Sequence, residues 1–504
     1  MNLMMLLEMA SSAFGDREAL TSDDTRLTYS DLFRAAGAAA QTYRAATVEH
    51  ASILDVSSPA VPIGLFASAW AGIPYVPLNY RLTGDELDAL LERVSPSYLV
   101  TEANRVEHLS HMVDTKTVTR EHFLETSLDE ASPAADWEWN MDPEEIAILL
   151  FTSGTTGAPK AAVLRHKHIV SYILGSVEFG GAAEEDAALV CVPPYHIAGM
   201  AAIASSIYSG RRIVQLPNFK ADEWVALARK EKVTNAFVVP TMLTRIVDEL
   251  EGEGCDTADL PHLRALSYGG GKMPLSVIEK AMEFFPDTDF TNAYGLTETS
   301  STISILGPDD HRSAAASDDE NVRKRLVSVG RPLPTLEVEI RDDEGKALGP
   351  GERGEIHVRG EQVSGEYLGK GSQLIADGWF PTRDGGYLDD EGYLFLEGRV
   401  DDIIVRGGEN MSPGEIEDVL LEHAAVADVA VVGIPDEQWG EAVAAAVVLK
   451  EGHDASVASL QQWVKDRLRS SRAPERIEFE AELPYNETGK LLRRKVRAKL
   501  VGEE

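Results

Sequence analysis

EIAILLFTSGTTGAPK, residues 145–160, is the stretch from which the rest of the chain can be ordered. Ile146 to Phe151 are apolar or small without a break, and read as an apolar strand. The run stops at a cluster of Gly, Ser and Thr. Glycines at 154 and 157 remove side chains that would keep backbone N–H groups away from an anion, and Ser153, Thr155 and Thr156 add hydroxyl donors. With Thr152 and Lys160 at its ends, the segment is a phosphate cradle by its chemistry, and a flexible turn is the bland alternative. The glycines lie three apart and Ala161 follows the lysine, so the Walker spacing is absent and an ordinary P-loop NTPase is disfavoured.

Outward from this strand the pattern is α/β. Between Leu27 and Leu99, short apolar runs (ASILDVSS, PYVPLNY) alternate with helical periods (LFASAWAG, TGDELDALLERV), the rhythm of parallel βαβ units. Residues 104–141 are polar and weakly patterned, and read as a surface connection. A second α/β stretch follows from about 165 to 300, with strands in ALVCVPP, RRIVQLP and AFVVP. GPDDHRSAAASDDENVRKR, at 307–325, reads as an exposed loop. Beyond it, paired β runs around Asp/Glu-Gly turns predict a small antiparallel unit of hairpins. After Arg399 the texture restarts as a small α+β domain, whose first helix is signalled by Ser412 as N-cap, Pro413 at the first helical position and Glu415 in a capping box. The expected division is 1–399 and 400–504, with a hinge at Val400–Asp402.

At 504 residues a large domain plus a smaller one is the default. Lys+Arg 47 against Asp+Glu 83 gives a net charge of −36, a field that repels nucleic acid and anionic lipid. Any nucleotide must therefore be held by a local concentration of N–H groups, cations and a metal ion. Two cysteines, 191 and 255, support neither a disulfide framework nor a cysteine zinc site, so the cytoplasm is the expected compartment. MNLMMLLEMA lacks a basic flank and is interrupted by Glu8; it reads as an amphipathic first helix, not a signal peptide. No run is long enough to span a membrane, and no integral membrane contact is expected.

Ordered motifs then extend over nearly the whole chain: PYVPLNYRLTGDEL, TSGTTGAPK, PPYHIAGM, SYGGGKMP, NAYGLTET, SVGRPLP, GEIHVRG, DGWFPTRDGGYLDDEGYLFLEGRVDDIIVRGGENMSPGEIE and LPYNETGKLLRRK. Together they resemble the adenylate-forming superfamily of acyl-CoA synthetases, peptide-synthetase adenylation domains and beetle luciferases. The resemblance implies a large N-terminal domain of parallel α/β subdomains plus the small β unit, followed by a mobile C-terminal domain. It also implies an enzyme using ATP, Mg2+ and coenzyme A.

By this resemblance Tyr294 stacks on adenine with Asn292 beside it, and Gly270, Gly271 and Lys272 form the opposing wall. Thr297 resembles the family's phosphate-contacting threonine and Glu298 its Mg2+-binding carboxylate, a role that suits an ion preferring few carboxylates and several phosphate oxygens. Asp384 resembles the carboxylate that accepts the ribose hydroxyls, and Arg399 its partner; taken singly, each is also a common surface ion pair. Lys490 resembles the lysine that bridges acyl and phosphate oxygens, its alternative being one more charge in a basic tail. Asp401 resembles the pivot about which Gly407 and Gly408 are brought towards a thiol channel. One departure stands out: the family's Thr-Gly-Asp reads Thr382-Arg383-Asp384 here. A glycine in a loop supplies left-handed φ or close approach, so either the loop is rerouted or ATP affinity is altered.

The reaction so implied is attack of a carboxylate on the α-phosphorus of ATP, giving acyl-AMP and pyrophosphate, then acyl transfer to a thiol. It is driven by positioning and electrostatics without a general base. The region aligned with the acyl pocket is Tyr195-His196-Ile197-Ala198-Gly199, with no carboxylate to pair an α-ammonium, so a plain carboxylic acid is expected. His196 resembles the residue that lines and gates the acyl tunnel, against the alternative of a satisfied core histidine. Gly269–Gly271 would leave extra volume for a medium-sized or ring-bearing acid. Free coenzyme A is the expected acceptor, since no carrier-protein segment is legible; loading of a separate carrier protein is the runner-up. A luciferase-like oxygenase and an inactive nucleotide sensor stand further off.

Overall fold

The computed structural model describes residues 1–133, 135–152, 159–254, 257–407, 409–485 and 491–503. The chain forms two compact units, one of Met1–Leu326, Arg331–Glu337 and Val358–Phe380, the other of Val327–Gly330, Val338–His357 and Pro381–Glu504.

The first unit is built on two sheets. In the eight-stranded sheet the order is Gly371–Ser372, Glu366–Tyr367, Lys160–Arg165, Ile146–Thr152, Tyr75–Pro77, His50–Leu54, Ser97–Thr101, Thr115–Thr119. The apolar run is an inner strand, parallel to Tyr75–Pro77 and antiparallel to Lys160–Arg165. Ile148, Leu149 and Leu150 are all buried, which is why both faces of this strand read as apolar. The nine-stranded sheet has six parallel strands, from Asp289–Leu296 through Ala265–Gly269, Asn235–Val238, Ala187–Val190 and Arg212–Gln215 to Glu18–Ser22, with antiparallel strands at either edge.

Two local expectations are corrected. The 104–141 stretch is not a bare connection: Thr115–Thr119 is an edge strand and Arg120–Leu128 a helix capped by Thr119. Edge strands need little apolar character, so the pattern is weak where the structure is regular. The 307–325 segment is mostly helical, with Pro308–Ala315 started by Pro at its first turn and by Asp309 and Asp310 against the helix dipole. The Met4–Phe14 helix, by contrast, is amphipathic as expected: Leu3, Leu6, Leu7 and Ala10 bury one face at i, i+3, i+4, i+7 spacing, while Ser12 and Ala13 are exposed.

In the second unit, strands Phe380–Leu388 and Leu394–Arg399 form the expected hairpin, turning at Asp389–Gly392. They continue a sheet whose other strands are Glu337–Arg341 and Gly354–Arg359. The remaining sheet pairs Val426–Asp436 with Gly440–Leu449, and Arg476–Glu480 runs parallel to the latter. The Pro413–Leu421 helix begins where predicted, but its capping box does not form: the Ser412 hydroxyl donates to the Glu397 carbonyl at 2.6 Å, and Glu415 pairs with Arg472 at 3.4 Å. A long-range acceptor outcompetes the local N–H. Among the described residues no helix is long and apolar enough to cross a membrane.

Candidate active site

Thr152 and Lys160 are cross-strand partners, so the two ends of the motif are held together by the sheet. The Thr152 hydroxyl joins them by donating to the Lys160 carbonyl at 3.4 Å. Ser153, Gly154, Thr155, Thr156 and Gly157 lie outside the described residues.

Gly269 ends a strand parallel to Asp289–Leu296, with Ala293 as its partner. A Cβ on Gly269 would sit well inside van der Waals distance of the Ala293 carbonyl oxygen. Its lack of a side chain is therefore a requirement of strand packing, and the argument for extra acyl volume loses this residue; Gly270, Gly271 and Lys272 are exposed beyond the strand end. One residue earlier, the Tyr268 hydroxyl lies 2.8 Å from His311 Nε2, and His311 Nδ1 lies 2.8 Å from the Gly307 carbonyl. A carbonyl only accepts, so Nδ1 carries the proton and Nε2 accepts from tyrosine. This buried chain anchors the strand that presents the glycines. It was invisible in a segment read as a loop.

Asn292 and Tyr294 are both buried on one face of their strand, two residues apart. The strand runs into a single 3-10 turn, Thr297–Thr299, where the Leu296 N–H donates to the Thr299 hydroxyl oxygen at 3.1 Å. Ser300 and Ser301 follow with φ of 56° and 122°. Such left-handed conformations cost about 1–3 kcal/mol each and persist where the surroundings over-determine them. Here the surroundings include Gln362, whose amide donates to the carbonyls of Thr299 and Thr302 at 3.0 and 2.8 Å. The Glu298 carbonyl accepts from the N–H groups of Ser364 and Gly365 at 2.8 and 3.2 Å, and its carboxylate accepts from the Tyr367 hydroxyl. Lys160 Nζ stands 5.5 Å from the centroid of the same tyrosine ring. Sequence reading passed over Gln362 and Tyr367, which carry no periodic or spacing signal.

A carboxylate and an ammonium that meet the same tyrosine suit Mg2+ and phosphate, since Mg2+ is usually held by one or two carboxylates and substrate phosphates. No group of three or more metal-ligating side chains occurs among the described residues.

His196 caps the Ile197–Ser209 helix and lies 4.5 Å, ring to ring, from Tyr195, which in turn meets Tyr80 edge-on at 5.4 Å. Burial, with a smaller push from Arg81, lowers the imidazole to about 4, so it is neutral at physiological pH. Its Nε2 is enclosed and has no hydrogen-bond partner among the described residues. A partner that would make it a satisfied core histidine is therefore not found among the described residues. Gly199 is packed against Pro193, where a Cβ would come 2.9 Å from the carbonyl oxygen.

In the second unit Asp384 and Arg399 are cross-strand partners, Oδ1 to Nη1 at 3.0 Å. The Asp384 N–H donates to the Thr382 hydroxyl at 3.1 Å, and that hydroxyl donates to the Ile356 carbonyl. Arg383 between them has φ +64°. The loop keeps the left-handed turn that glycine would favour, with the Arg383 N–H held by the Glu355 carboxylate at 3.0 Å. Asp401 is exposed in the 3-10 turn Val400–Asp402, and Asp402 faces Arg493 at 3.5 Å. Gly407 has φ +59° and donates its N–H to the Trp439 carbonyl at 2.7 Å. Gly408 and Lys490 lie outside the described residues; Tyr485 and Leu491, bracketing the segment before and including Lys490, pair as a β-bridge.

The model of one family, AMP-binding enzyme, matches residues 7–368, and that of the AMP-binding enzyme C-terminal domain matches 415–490. The chain belongs to the AMP-binding enzyme family. It is thereby a member of the adenylate-forming superfamily, as the motifs implied. Among curated relatives of this AMP-binding enzyme is the fatty acid–[acyl-carrier-protein] ligase ScoC of Streptomyces coeruleorubidus, 32% identical, with 96% of this chain and 94% of the relative covered. Another is the 2-succinylbenzoate–CoA ligase of Bacillus licheniformis, 32% identical over 95% of this chain and 96% of the relative. The o-succinylbenzoate CoA synthetase of Bacillus subtilis, solved with its acyl-adenylate intermediate, superposes with a TM-score of 0.85 at 30% identity, covering 98% and 97% of the two chains.

Proposed function

We propose that this AMP-binding enzyme activates a plain carboxylic acid with ATP and Mg2+, releasing pyrophosphate, and then passes the acyl group to the thiol of coenzyme A. The observation that carries the first step is that Lys160, the last residue of the Gly/Ser/Thr motif, and Glu298 both meet Tyr367, one at the ring and the other at the hydroxyl. It supplies one cation for phosphate oxygens and one carboxylate for a divalent ion. Mg2+ held by Glu298 and the phosphates would offset charge on the pyrophosphate leaving group.

A carboxylate oxygen forms the new bond to the α-phosphorus as the bond to the bridging oxygen of pyrophosphate breaks, so the carboxylate enters without a proton to lose. Thr297 and the cradle residues Ser153, Gly154, Thr155, Thr156 and Gly157 hold the phosphates, Tyr294 with Asn292 takes the adenine, and Asp384 takes the ribose with Arg399 behind it. Lys490 steadies the oxygens at the reacting phosphorus. Neutral His196 and Tyr195 border the acid, and the unpaired Nε2 supports that assignment. For the second step, Gly407 and Gly408 admit the thiol after movement about Asp401, with the mobile domain beginning at Val400–Asp402.

The named relatives include both a CoA ligase and a carrier-protein ligase. The second therefore supports a carrier-protein thiol as the alternative acceptor. ATP–pyrophosphate exchange over a panel of carboxylic acids tests the first step, and ADP with orthophosphate as products would overturn it. Comparing acyl transfer to coenzyme A with transfer to a phosphopantetheinylated carrier protein decides the acceptor.

A further inference from the structure

The segment Gln362–Tyr367 is fastened at both ends. Towards the Lys160–Arg165 strand, Tyr367 pairs with Ala162, the Leu368 N–H donates to the Ala161 carbonyl at 2.9 Å, the Ser364 hydroxyl donates to the Val163 carbonyl, and Glu366 receives Arg165 through two bonds of 2.8 and 3.0 Å. Towards the turn that bears Glu298, it contributes two N–H groups to the Glu298 carbonyl and the Gln362 amide to Thr299 and Thr302. The Tyr367 side chain meets two candidate site residues, the ring contacting Lys160 and the hydroxyl donating to Glu298.

We infer that Tyr367 is a positioning residue that holds the Glu298 carboxylate for the divalent ion and couples it to Lys160 at the phosphate loop. The inference rests on the ATP–Mg2+ reading above. A glutamate on a surface turn has three rotatable side-chain bonds, and a metal site formed mainly by substrate phosphates gains if its single protein carboxylate is already oriented. The phenol directs one carboxylate oxygen and leaves the other for the ion. The ring face offers Lys160 a cation–π contact that a carboxylate would replace with a tight ion pair, so the ammonium stays available to phosphate. The side chain thus engages both charges at once, through ring and hydroxyl, and keeps each on its own task.

The test is nucleotide binding by titration calorimetry, with no acid present, using ATP in EDTA and ATP with Mg2+. In the unaltered protein Mg2+ should tighten binding. Tyr367→Phe keeps the ring and loses the hydroxyl: the Mg2+-dependent tightening should fall by about tenfold, as for a hydrogen bond to a charged group, while metal-free ATP affinity stays within twofold. Tyr367→Leu should weaken metal-free ATP as well, because Lys160 loses its support. In a Glu298→Gln background, Tyr367→Phe should add no further loss. Circular dichroism and the unfolding midpoint of each variant establish that it is folded. An unchanged Mg2+ increment in Tyr367→Phe, or equal loss with and without metal, overturns the inference. If the unaltered protein itself shows no Mg2+ increment, the ATP–Mg2+ reading fails instead.

Discussion

Arg383 holds its backbone N–H against the Glu355 carboxylate at 3.0 Å while sitting at φ +64°, a conformation for which glycine is the better residue. The turn that presents Asp384 is therefore kept at a conformational cost of about 1–2 kcal/mol. Arg383→Gly should keep the turn and raise the unfolding free energy by up to about 1 kcal/mol, the strain relieved being partly offset by greater unfolded-chain entropy. It should also lower the Michaelis constant for ATP. A rise in that constant would mean that the guanidinium itself contacts a phosphate.

Breaking the neighbouring ion pair should be costlier than exposure at the surface implies, because the Asp384 side chain is only 13% exposed. Arg399→Ala removes the guanidinium and leaves the carboxylate partly buried without it. We expect ATP affinity to fall on the order of tenfold, with Arg399→Lys recovering only part. Calorimetry on the folded variants reads the effect.

Gly269→Ala tests a close strand approach. The added methyl would meet the Ala293 carbonyl oxygen, which belongs to the paired strand and cannot turn aside. A loss of about 1–3 kcal/mol in unfolding free energy is expected. Gly271→Ala, on the exposed segment beyond the strand, should change stability by less than about 0.5 kcal/mol. Equal effects at the two positions would reject the packing account.

Acid should destabilise the fold through buried neutral imidazoles. Burial lowers His166, His168 and His196 to about 4, with smaller pushes from the chain's amino terminus, from Lys167 and Arg165, and from Arg81 respectively. Unfolded imidazoles titrate near 6.5, so the unfolded chain binds more protons between these values. Stability is full above about 6.5 and is lost as the pH falls towards about 4. His166 Nδ1 accepts the Leu3 N–H at 3.1 Å. His166→Gln can keep that acceptor without titrating, and should make the decline of the urea midpoint between these pH values shallower.

The two half-reactions should separate by mutation. Lys490→Ala should cost adenylation heavily yet form acyl-CoA from preformed acyl-adenylate at close to the unaltered rate. Gly408→Trp should release pyrophosphate but fail to make acyl-CoA. Equal loss of both half-reactions in both folded variants would reject the assignment of the two steps to different faces of one mobile domain.

What the sequence by itself determined is whatever local burial and local chemistry encode. The Ile146–Thr152 strand, the hairpin turning at Asp389–Gly392 and the start of the Pro413 helix were legible because each segment's own periodicity, turn residues or helix-start signals specify it. The family was legible because the residues of each motif lie close together in the chain. Only the tertiary structure decided that Ser412 bonds Glu397 instead of capping its helix, that His311 leaves a charged surface-like segment to bond buried Tyr268, and that Tyr367 meets Glu298 from 69 residues away. These side chains have several partners of equal chemistry within reach of an unfolded chain. Which partner is met depends on which strand edges and turns come together, and that is a property of the summed packing, with no counterpart in any short window of sequence.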